Sequence, residues 1–514
     1  MENLTLEQKI GQLFMVSFSG PVLTSDVEEH LKKNCFGNYV LFANNFTTSD
    51  NIVKLTEGLQ ETAKDISNTA AFISTDQEGG MVTRIYSGAT HFPSAMAVAV
   101  SGLGTGVIAE MTAVELKALG INFNLAPVLD INNNRLNPVI GVRSYGEEAG
   151  IVAKHGVEYI KALQSKGVIG CAKHFPGHGD VDVDSHLDLP RSDLTTAQMQ
   201  ARELIPFKAA IEAGVDSIMS AHILYKTIDD LPATLSKKIL TSLLRKNLGY
   251  NGLIITDCMY MDAIREHFGM EKACIMAVNA GADILCLTGD RTNQALCFKQ
   301  QSLCYEAVLN AAKSGEIKPE VINRAVARIL FVKEKYKVSF EVKGGPGRYE
   351  EHEALADKIS KQSVTLVHDI GNLLPLTGSK NILCLSPPPV TANIADDTLV
   401  VQESLAKVLG RSLSCRAVEF SVSPDQDEIA AIINSVESVD IVVVGTYNAI
   451  LHAGQKLLVE ELTRARKRVI AVALRLPYDD MSLPPVGAYI RTYEYTPRSV
   501  RNAVELLTGG MDDQ

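Results

Sequence analysis

Residues 168–190 read VIGCAKHFPGHGDVDVDSHLDLP, and this stretch decides the class of fold that we predict. It begins with an apolar run at residues 168–172, typical of a buried strand, which ends in Lys173 and His174. Residues 173–190 then combine three histidines, four aspartates and one lysine with two prolines and two glycines. Because proline and glycine interrupt helices and central strands, we predict an ordered loop that carries active-site groups.

The same pattern, an apolar run that leads into an ionisable residue, occurs at three other places: Asp76, His222 and Asp257. About eight strand-like runs alternate with helical segments up to residue 336, at residues 13–18, 38–42, 72–75, 123–126, 169–172, 217–221, 253–256 and 283–286. The helical segments between them include residues 109–119, 148–164, 197–213 and 237–248. This alternation predicts an α/β fold with an N-terminal (β/α)8 TIM-type barrel, and a doubly wound open sheet is the competing topology. Since the strands of a parallel barrel all end on one face, these ionisable residues are expected to converge there.

A glycine-rich stretch, GGPG at residues 344–347, predicts a linker over residues 337–352. The barrel would then span residues 1–336. A second strand–helix alternation fills residues 353–514, and it predicts a separate C-terminal α/β sandwich domain. Its expected strands are residues 364–367, 382–385, 441–445, 469–473 and 487–492.

Composition narrows the class of ligand. A net charge of −11 disfavours nucleic acid, and no apolar run approaches the roughly 20 residues that span a bilayer. The first ten residues lack the pattern of a secretory signal, and the nine cysteines form no Cys-x-x-Cys pair. We therefore expect a cytoplasmic protein with reduced thiols, a small or neutral ligand and no cofactor. A homodimer is an expectation from size alone.

Each candidate residue also has a structural interpretation. Asp257 is as well suited to capping the helix that follows it as to a functional role. His222 is more typical of a hydrogen-bonded histidine in the core than of a residue that contacts a ligand. Arg143 is compatible with a surface ion pair. The possible metal ligands in this loop are His174, His178, Asp184 and His186. No Cys-x-x-Cys or His-Glu-x-x-His motif accompanies them, so we predict that the loop binds no metal. The glycines at 102, 104 and 106 are too evenly spaced for a dinucleotide fingerprint and predict the start of a helix.

Five separated motifs together resemble family-3 glycoside hydrolases of the β-N-acetylglucosaminidase branch. They are, in chain order, DQEGGMVTR at residues 76–84, APVLD at 126–130, GVRSYG at 141–146, the loop from Lys173 to His186, and ITD at 255–257. The match covers essentially the whole predicted barrel, and the long loop is its most specific part. The C-terminal domain is similar more weakly to the α/β sandwich of that family.

The resemblance implies a retaining mechanism in which Asp257 is the nucleophile. It also implies that His186 is the acid–base residue, supported by Asp184. This chemistry is reasonable on its own terms, because an imidazole titrates near pH ~6.5 and can both give and take a proton close to neutrality. The sugar-binding residues that it implies are Asp76, Arg84, Arg143, Lys173 and His174, to which we add His222.

The expected activity is release of terminal, non-reducing N-acetylglucosamine from chitobiose or from cell-wall muropeptide fragments. The alternatives are a β-N-acetylglucosaminide phosphorylase, which would use phosphate in place of water, and a non-catalytic sugar-binding protein. Two positions depart from the family pattern. Cys258 follows the proposed nucleophile where many relatives have aspartate, and Met81 stands where arginine is common.

Overall fold

The structure is a computed structural model that describes residues 4–182, 184, 188–342, 344–345, 347, 349–376, 381–396 and 403–510. Eight parallel strands form the barrel of the first domain: β1 (Phe14–Val16), β2 (Asn38–Val40), β3 (Phe72–Thr75), β4 (Phe123–Asn124), β5 (Ile169–Phe175), β6 (Ser217–Ser220), β7 (Leu253–Thr256) and β8 (Leu285–Leu287). They pair in the order β8-β1-β2-β3-β4-β5-β6-β7, and a parallel bridge between Ile255 and Ile284 joins the two ends. The barrel is confirmed, and the open sheet is excluded.

All eight predicted strands are present, and every residue in them is buried. Strands covered on both faces are apolar nearly throughout, which is why their runs do not alternate with polar residues. β5 is longer than predicted, because it continues through Lys173 and His174 to Phe175. The predicted loop therefore starts at Pro176, which has no N–H to continue the strand.

In the described residues, twelve α-helices surround the barrel or connect its strands: α1 (Leu6–Gln12), α2 (Ser25–Lys33), α3 (Ser49–Ser67), α4 (Ala95–Ser101), α5 (Thr105–Ala118), α6 (Ala149–Ser165), α7 (Thr196–Ala201), α8 (Leu204–Glu212), α9 (Asp262–Phe268), α10 (Met270–Ala280), α11 (Gln294–Ser314) and α12 (Pro319–Lys335). Residues Lys238–Asn247 form a π-helix. Gly104 is the N-cap of α5, as the glycine spacing predicted. The helix expected over residues 197–213 is divided into α7 and α8, because Pro206 cannot donate a hydrogen bond to the preceding turn.

The second domain is a six-stranded sheet with helices on both faces. Its elements are α13 (Glu350–Ser363), β9 (Thr365–Asp369), β10 (Ile382–Ser386), α14 (Leu405–Leu413), β11 (Arg416–Glu419), α15 (Gln426–Asn434), β12 (Ile441–Thr446), α16 (Ala453–Arg464), β13 (Arg468–Ala473), β14 (Ala488–Arg491) and α17 (Pro497–Thr508). The strand order is β9-β14-β13-β12-β10-β11, and only the β9–β14 pair is antiparallel. One apolar cluster lies on each face of the sheet, which confirms the α/β sandwich. The sequence did not predict β11, an edge strand without an apolar run.

Several contacts join the two domains. Helix α13 begins at Glu350, inside the predicted linker, and packs against α4 of the barrel. Its His352 lies 2.6 Å from a carboxylate oxygen of Glu115 on α5. Met81 is buried in an apolar cluster of the second domain, so this departure from the family pattern is a contact between domains. No helix in the described part of the chain has the length and apolar character needed to cross a membrane.

Candidate active site

A cavity of about 380 Å³ opens at the carboxyl ends of the barrel strands, and we call it the barrel-mouth cavity. Its lining combines ionisable residues from four different strand ends with residues of the second domain. The predicted site residues that line it are Asp76, Arg84, Arg143, Lys173, His174 and Asp257. The convergence expected from the strand ends is therefore present for Asp76, Lys173, His174 and Asp257, but not for His222.

One side of the cavity holds a buried cluster of opposite charges. Lys173 Nζ lies 2.7 Å from Asp76 Oδ1 and 2.7 Å from Glu78 Oε1. Arg143 donates two hydrogen bonds of 2.8 Å to the two carboxylate oxygens of Glu78. The Lys173 and Arg143 side chains are only 2% and 7% exposed. Arg143 is therefore a buried member of the site and not a surface ion pair.

The charges of this cluster stabilise one another. Burial alone would raise the pKa of Glu78, but Arg143 and Lys173 outweigh it and hold that pKa well below its usual range. Burial would likewise lower the pKa of Lys173, but Asp76 and Glu78 raise it above the usual lysine value. Both groups therefore carry full charge near neutrality. Glu78 had no role in the sequence analysis, although it lies inside the Asp76–Arg84 motif.

Arg84 connects this cluster to the second domain. Its Nη1 donates to the carbonyl oxygen of Ala395 at 2.9 Å, and its Nη2 lies 3.7 Å from Asp76 Oδ2. Arg84 is only 8% exposed. Its guanidinium is therefore held between a carboxylate of the barrel and a carbonyl of the other domain.

A histidine fixed by an aspartate stands beside Asp257. His174 Nδ1 lies 2.7 Å from Asp130 Oδ2, while its Nε2 lies 4.0 Å from Asp257 Oδ2. Asp130 also accepts backbone N–H groups of His174 and His178 at 3.0 and 2.7 Å. These bonds orient the imidazole so that its second nitrogen faces Asp257. The APVLD motif contained Asp130, but the sequence did not indicate its partner.

Asp257 follows β7 directly and has a side chain that is 17% exposed. Its Oδ1 accepts the backbone N–H of Cys258 at 2.7 Å, whereas its Oδ2 is the oxygen nearer to His174. It lines the cavity and precedes α9 by five residues. The alternative prediction of a helix cap is therefore wrong, because the N-cap of α9 is Met261.

The assignment of His222 to sugar binding needs correction. Its side chain is fully buried and is not among the residues that line the cavity. Its Nε2 donates to the carbonyl oxygen of Cys258 at 2.9 Å, and its Nδ1 lies 2.8 Å from Thr234 Oγ1. His222 therefore supports the chain segment next to Asp257 from behind, as the core-histidine interpretation expected.

The long loop contributes differently along its length. His178 lines the cavity, and burial lowers its pKa to about 4, so it is neutral at physiological pH. Asp184 is buried. His186 lies outside the described residues, and its predicted pairing with Asp184 stays a prediction.

Cys258 places a thiol in the cavity wall. Its Sγ lies 2.9 Å from Thr288 Oγ1, and Cys286 lines the same cavity. Hydrogen bonding from the Cys286 thiol, helped by Thr288 and opposed by burial, lowers the pKa of Cys258 to about 6. This thiol therefore loses its proton more readily than an ordinary cysteine.

Comparisons with known proteins agree on one family. Residues 5–332 match the family described as "Glycosyl hydrolase family 3 N terminal domain". The solved structure of a glycoside hydrolase family 3 β-N-acetylglucosaminidase from Paenibacillus sp. str. FPU-7 is 36% identical, with a TM-score of 0.90 over 99% of this chain and 97% of that chain.

Two relatives of known name are similar in sequence. The β-hexosaminidase A of Pseudoalteromonas piscicida is 30% identical over 96% of this chain and 91% of its own length. The β-hexosaminidase of Neisseria meningitidis serogroup C (strain 053442) is 32% identical over 53% of this chain and 77% of its own length.

Proposed function

Because this chain belongs to glycosyl hydrolase family 3 and is a glycoside hydrolase, we propose that it is a retaining exo-β-N-acetylglucosaminidase. The observation that carries the proposal is the position of Asp257. Its carboxylate enters the barrel-mouth cavity from β7, while Asp76 enters from β3, four strands away around the barrel. A single sugar bound between them would have its anomeric carbon beside Asp257.

Asp257 acts as the nucleophile. Attack of its carboxylate on the anomeric carbon forms a covalent glycosyl-enzyme and expels the leaving oxygen, and water then attacks the same carbon from the opposite face. Two inversions give overall retention. The Cys258 N–H orients the carboxylate, and the His174 ring stands 4.0 Å from its other oxygen, which supports this role.

The buried cluster binds the sugar. Asp76 accepts hydrogen bonds from hydroxyl groups, and Arg84, Lys173 and His174 donate to them. Because Lys173 and Glu78 are already charged and paired before the sugar arrives, little reorganisation accompanies binding. Arg143 contributes chiefly by holding Glu78. The proposed substrates are chitobiose and muropeptide fragments, both of which end in N-acetylglucosamine.

The experiment that tests this function is product analysis by proton NMR during hydrolysis of nitrophenyl β-N-acetylglucosaminide and of chitobiose. We expect β-N-acetylglucosamine to appear first and the α-anomer to follow by mutarotation. Initial formation of the α-anomer would refute retention, and absence of turnover would refute the hydrolase proposal. A parallel reaction in phosphate buffer distinguishes the phosphorylase, which would release sugar 1-phosphate.

His186 is the proposed general acid, with Asp184 as its support. We expect His186→Ala to slow hydrolysis of chitobiose by about 10²–10⁴-fold, because its leaving oxygen needs a proton. The dinitrophenyl glycoside should lose much less in its glycosylation step, since that leaving group departs without one. Pre-steady-state release of dinitrophenol measures this step.

His267→Ala is the matched control, because His267 is an exposed histidine whose Nε2 lies 2.9 Å from Asp188 at the end of the same loop. It should leave both rates unchanged. Equal losses for good and poor leaving groups in His186→Ala would contradict an acid role.

Because the pKa of the Cys258 thiol is lowered, we expect alkylation of this residue to inactivate the enzyme selectively. At pH 7 we expect iodoacetamide to label Cys258 faster than Cys35, whose pKa is raised by burial. Labelling should fall about tenfold at pH 5, one unit below the Cys258 pKa. Peptide mass spectrometry and residual activity measure the two effects. Cys258→Ser should remain active in the presence of the reagent, and inactivation of that variant at the same rate would place the reactive group elsewhere.

A further inference from the structure

The second domain supplies part of the wall of the barrel-mouth cavity. Ile394 and Ala395, which follow β10, line it. They belong to residues 392–396, which we call the Asn393 turn. Arg84 donates to the Ala395 carbonyl at 2.9 Å, and Asn393 Nδ2 donates to the Pro138 carbonyl at 2.9 Å. The turn is therefore attached to the barrel loops that follow β3 and β4.

The Asn393 turn is held in shape from within. Asn393 Oδ1 accepts the backbone N–H groups of Ala395 and Asp396 at 3.0 and 3.2 Å. The Asp396 carboxylate accepts the Ala392 N–H at 2.8 Å and pairs with Arg475 at 2.8 Å. Both members of this ion pair are buried. Since breaking a buried pair is costly, the turn is a fixed part of the cavity.

Ile394 is the exposed member of this turn. It is 53% exposed, whereas Ala395 and Asp396 are 8% and 7% exposed. The side chain of Ile394 therefore presents an apolar surface to the cavity while its neighbours anchor the backbone. An apolar wall of this kind contacts the C–H groups of a sugar and offers no partner to a polar substituent.

The position of the turn identifies which end of the sugar it meets. β3 and β7 are four strands apart in a barrel of eight, so the loops after β3 lie across the cavity from Asp257. A sugar with its anomeric carbon at Asp257 directs carbons 4 and 6 towards Arg84 and the Asn393 turn. We propose that the second domain closes the cavity at this end and that Ile394 excludes substituents on carbons 4 and 6.

This inference rests on the proposed function, because the orientation of the sugar follows from Asp257 as the nucleophile. It deepens that function by assigning the second domain a role in specificity. The Asn393 turn restricts the substrate to a terminal residue without a further sugar or acyl group at carbons 4 and 6. Arg84 links the two parts, since it contacts both Asp76 and the turn.

The test compares nitrophenyl β-N-acetylglucosaminide with its 4-O-methyl and 6-O-methyl derivatives. For the wild-type protein we expect kcat/KM to be much lower for the methylated substrates. Ile394→Ala should raise the ratio of methylated to unsubstituted kcat/KM about tenfold for at least one derivative, because the shortened side chain leaves room for a methyl group. Ile394→Val, which removes one methylene, should give an intermediate ratio and differs too little from isoleucine to impair folding.

Ile370→Ala is the matched control, because Ile370 belongs to the same domain, is 79% exposed and is not among the residues that line the cavity. The ratio of methylated to unsubstituted kcat/KM in this variant should equal that of the wild-type protein. Unchanged ratios in both Ile394 variants would overturn the inference even if the wild-type protein is active. Absence of turnover of the unsubstituted glycoside by the wild-type protein would instead refute the proposed function.

Discussion

Asp257→Ala is expected to lower kcat for nitrophenyl β-N-acetylglucosaminide on the order of 10⁴-fold or more, because the covalent intermediate can no longer form. The side chain is partly exposed and accepts one backbone N–H from Cys258, so its removal should leave the fold intact. Steady-state kinetics and the melting temperature measure the two effects separately. We expect azide or formate to restore part of the activity, since a small anion can occupy the space of the lost carboxylate.

Asp290→Ala provides the matched control for this substitution. Asp290 lines the same cavity, but its carboxylate accepts hydrogen bonds from the backbone N–H and the hydroxyl of Thr292 at 2.9 and 2.6 Å. Its replacement should change kcat by less than about tenfold. Comparable activity of Asp257→Ala and the wild-type protein would refute the nucleophile assignment.

Lys173→Met is expected to destabilise the protein by about 3–5 kcal/mol, the usual cost of removing one partner from a buried ion pair. The substitution leaves Asp76 with Arg84 at 3.7 Å and Glu78 with Arg143 at 2.8 Å as their remaining cationic partners. Sugar binding should weaken as well, because Asp76 loses the cation that orients it. Urea and thermal unfolding measure the first effect, and binding of N-acetylglucosamine by calorimetry measures the second.

The effect of Lys173 on stability should depend on pH in one direction. The pKa of Lys173 is raised in the folded protein, so its contribution is fully present below the ordinary lysine value of about 10.4 and is lost as the pH rises through the folded value. The difference in unfolding free energy between wild-type protein and variant should therefore be constant from neutral to mildly alkaline pH. This difference in unfolding free energy should become smaller only in strongly alkaline solution.

Lys333→Met is the control for burial of a lysine without a carboxylate partner. Lys333 is 5% exposed, and its Nζ bonds to the neutral oxygens of Gln12 and Gly37 at 2.7 and 3.3 Å. Burial lowers the pKa of Lys333 well below the usual value, so its replacement by methionine should cost only the loss of the donor to these two oxygens, about 1–3 kcal/mol, and less than Lys173→Met. An equal loss of stability in both methionine variants would show that the Lys173 charge pairs are not the source of its effect.

Features that depend on local order along the chain were predicted correctly. The eight barrel strands follow from apolar runs, which need burial on both faces wherever they lie. The ionisable residues at their ends converge because parallel strands of one barrel all end on the same face. The sequence pattern failed at two places. It predicted one helix over residues 197–213, which is divided near Pro206, and it missed β11, whose side chains are too exposed to form an apolar run.

The sequence by itself determined the barrel, the sandwich domain and four residues that line the cavity, because strand periodicity and strand ends are local properties of the chain. Only the tertiary structure decided which side chains meet. It pairs Asp130 with His174 and Glu78 with Arg143, and it places Ile394 of the second domain at a cavity built by the first. Such contacts join residues tens to hundreds of positions apart, and no pattern in either segment specifies the partner in the other.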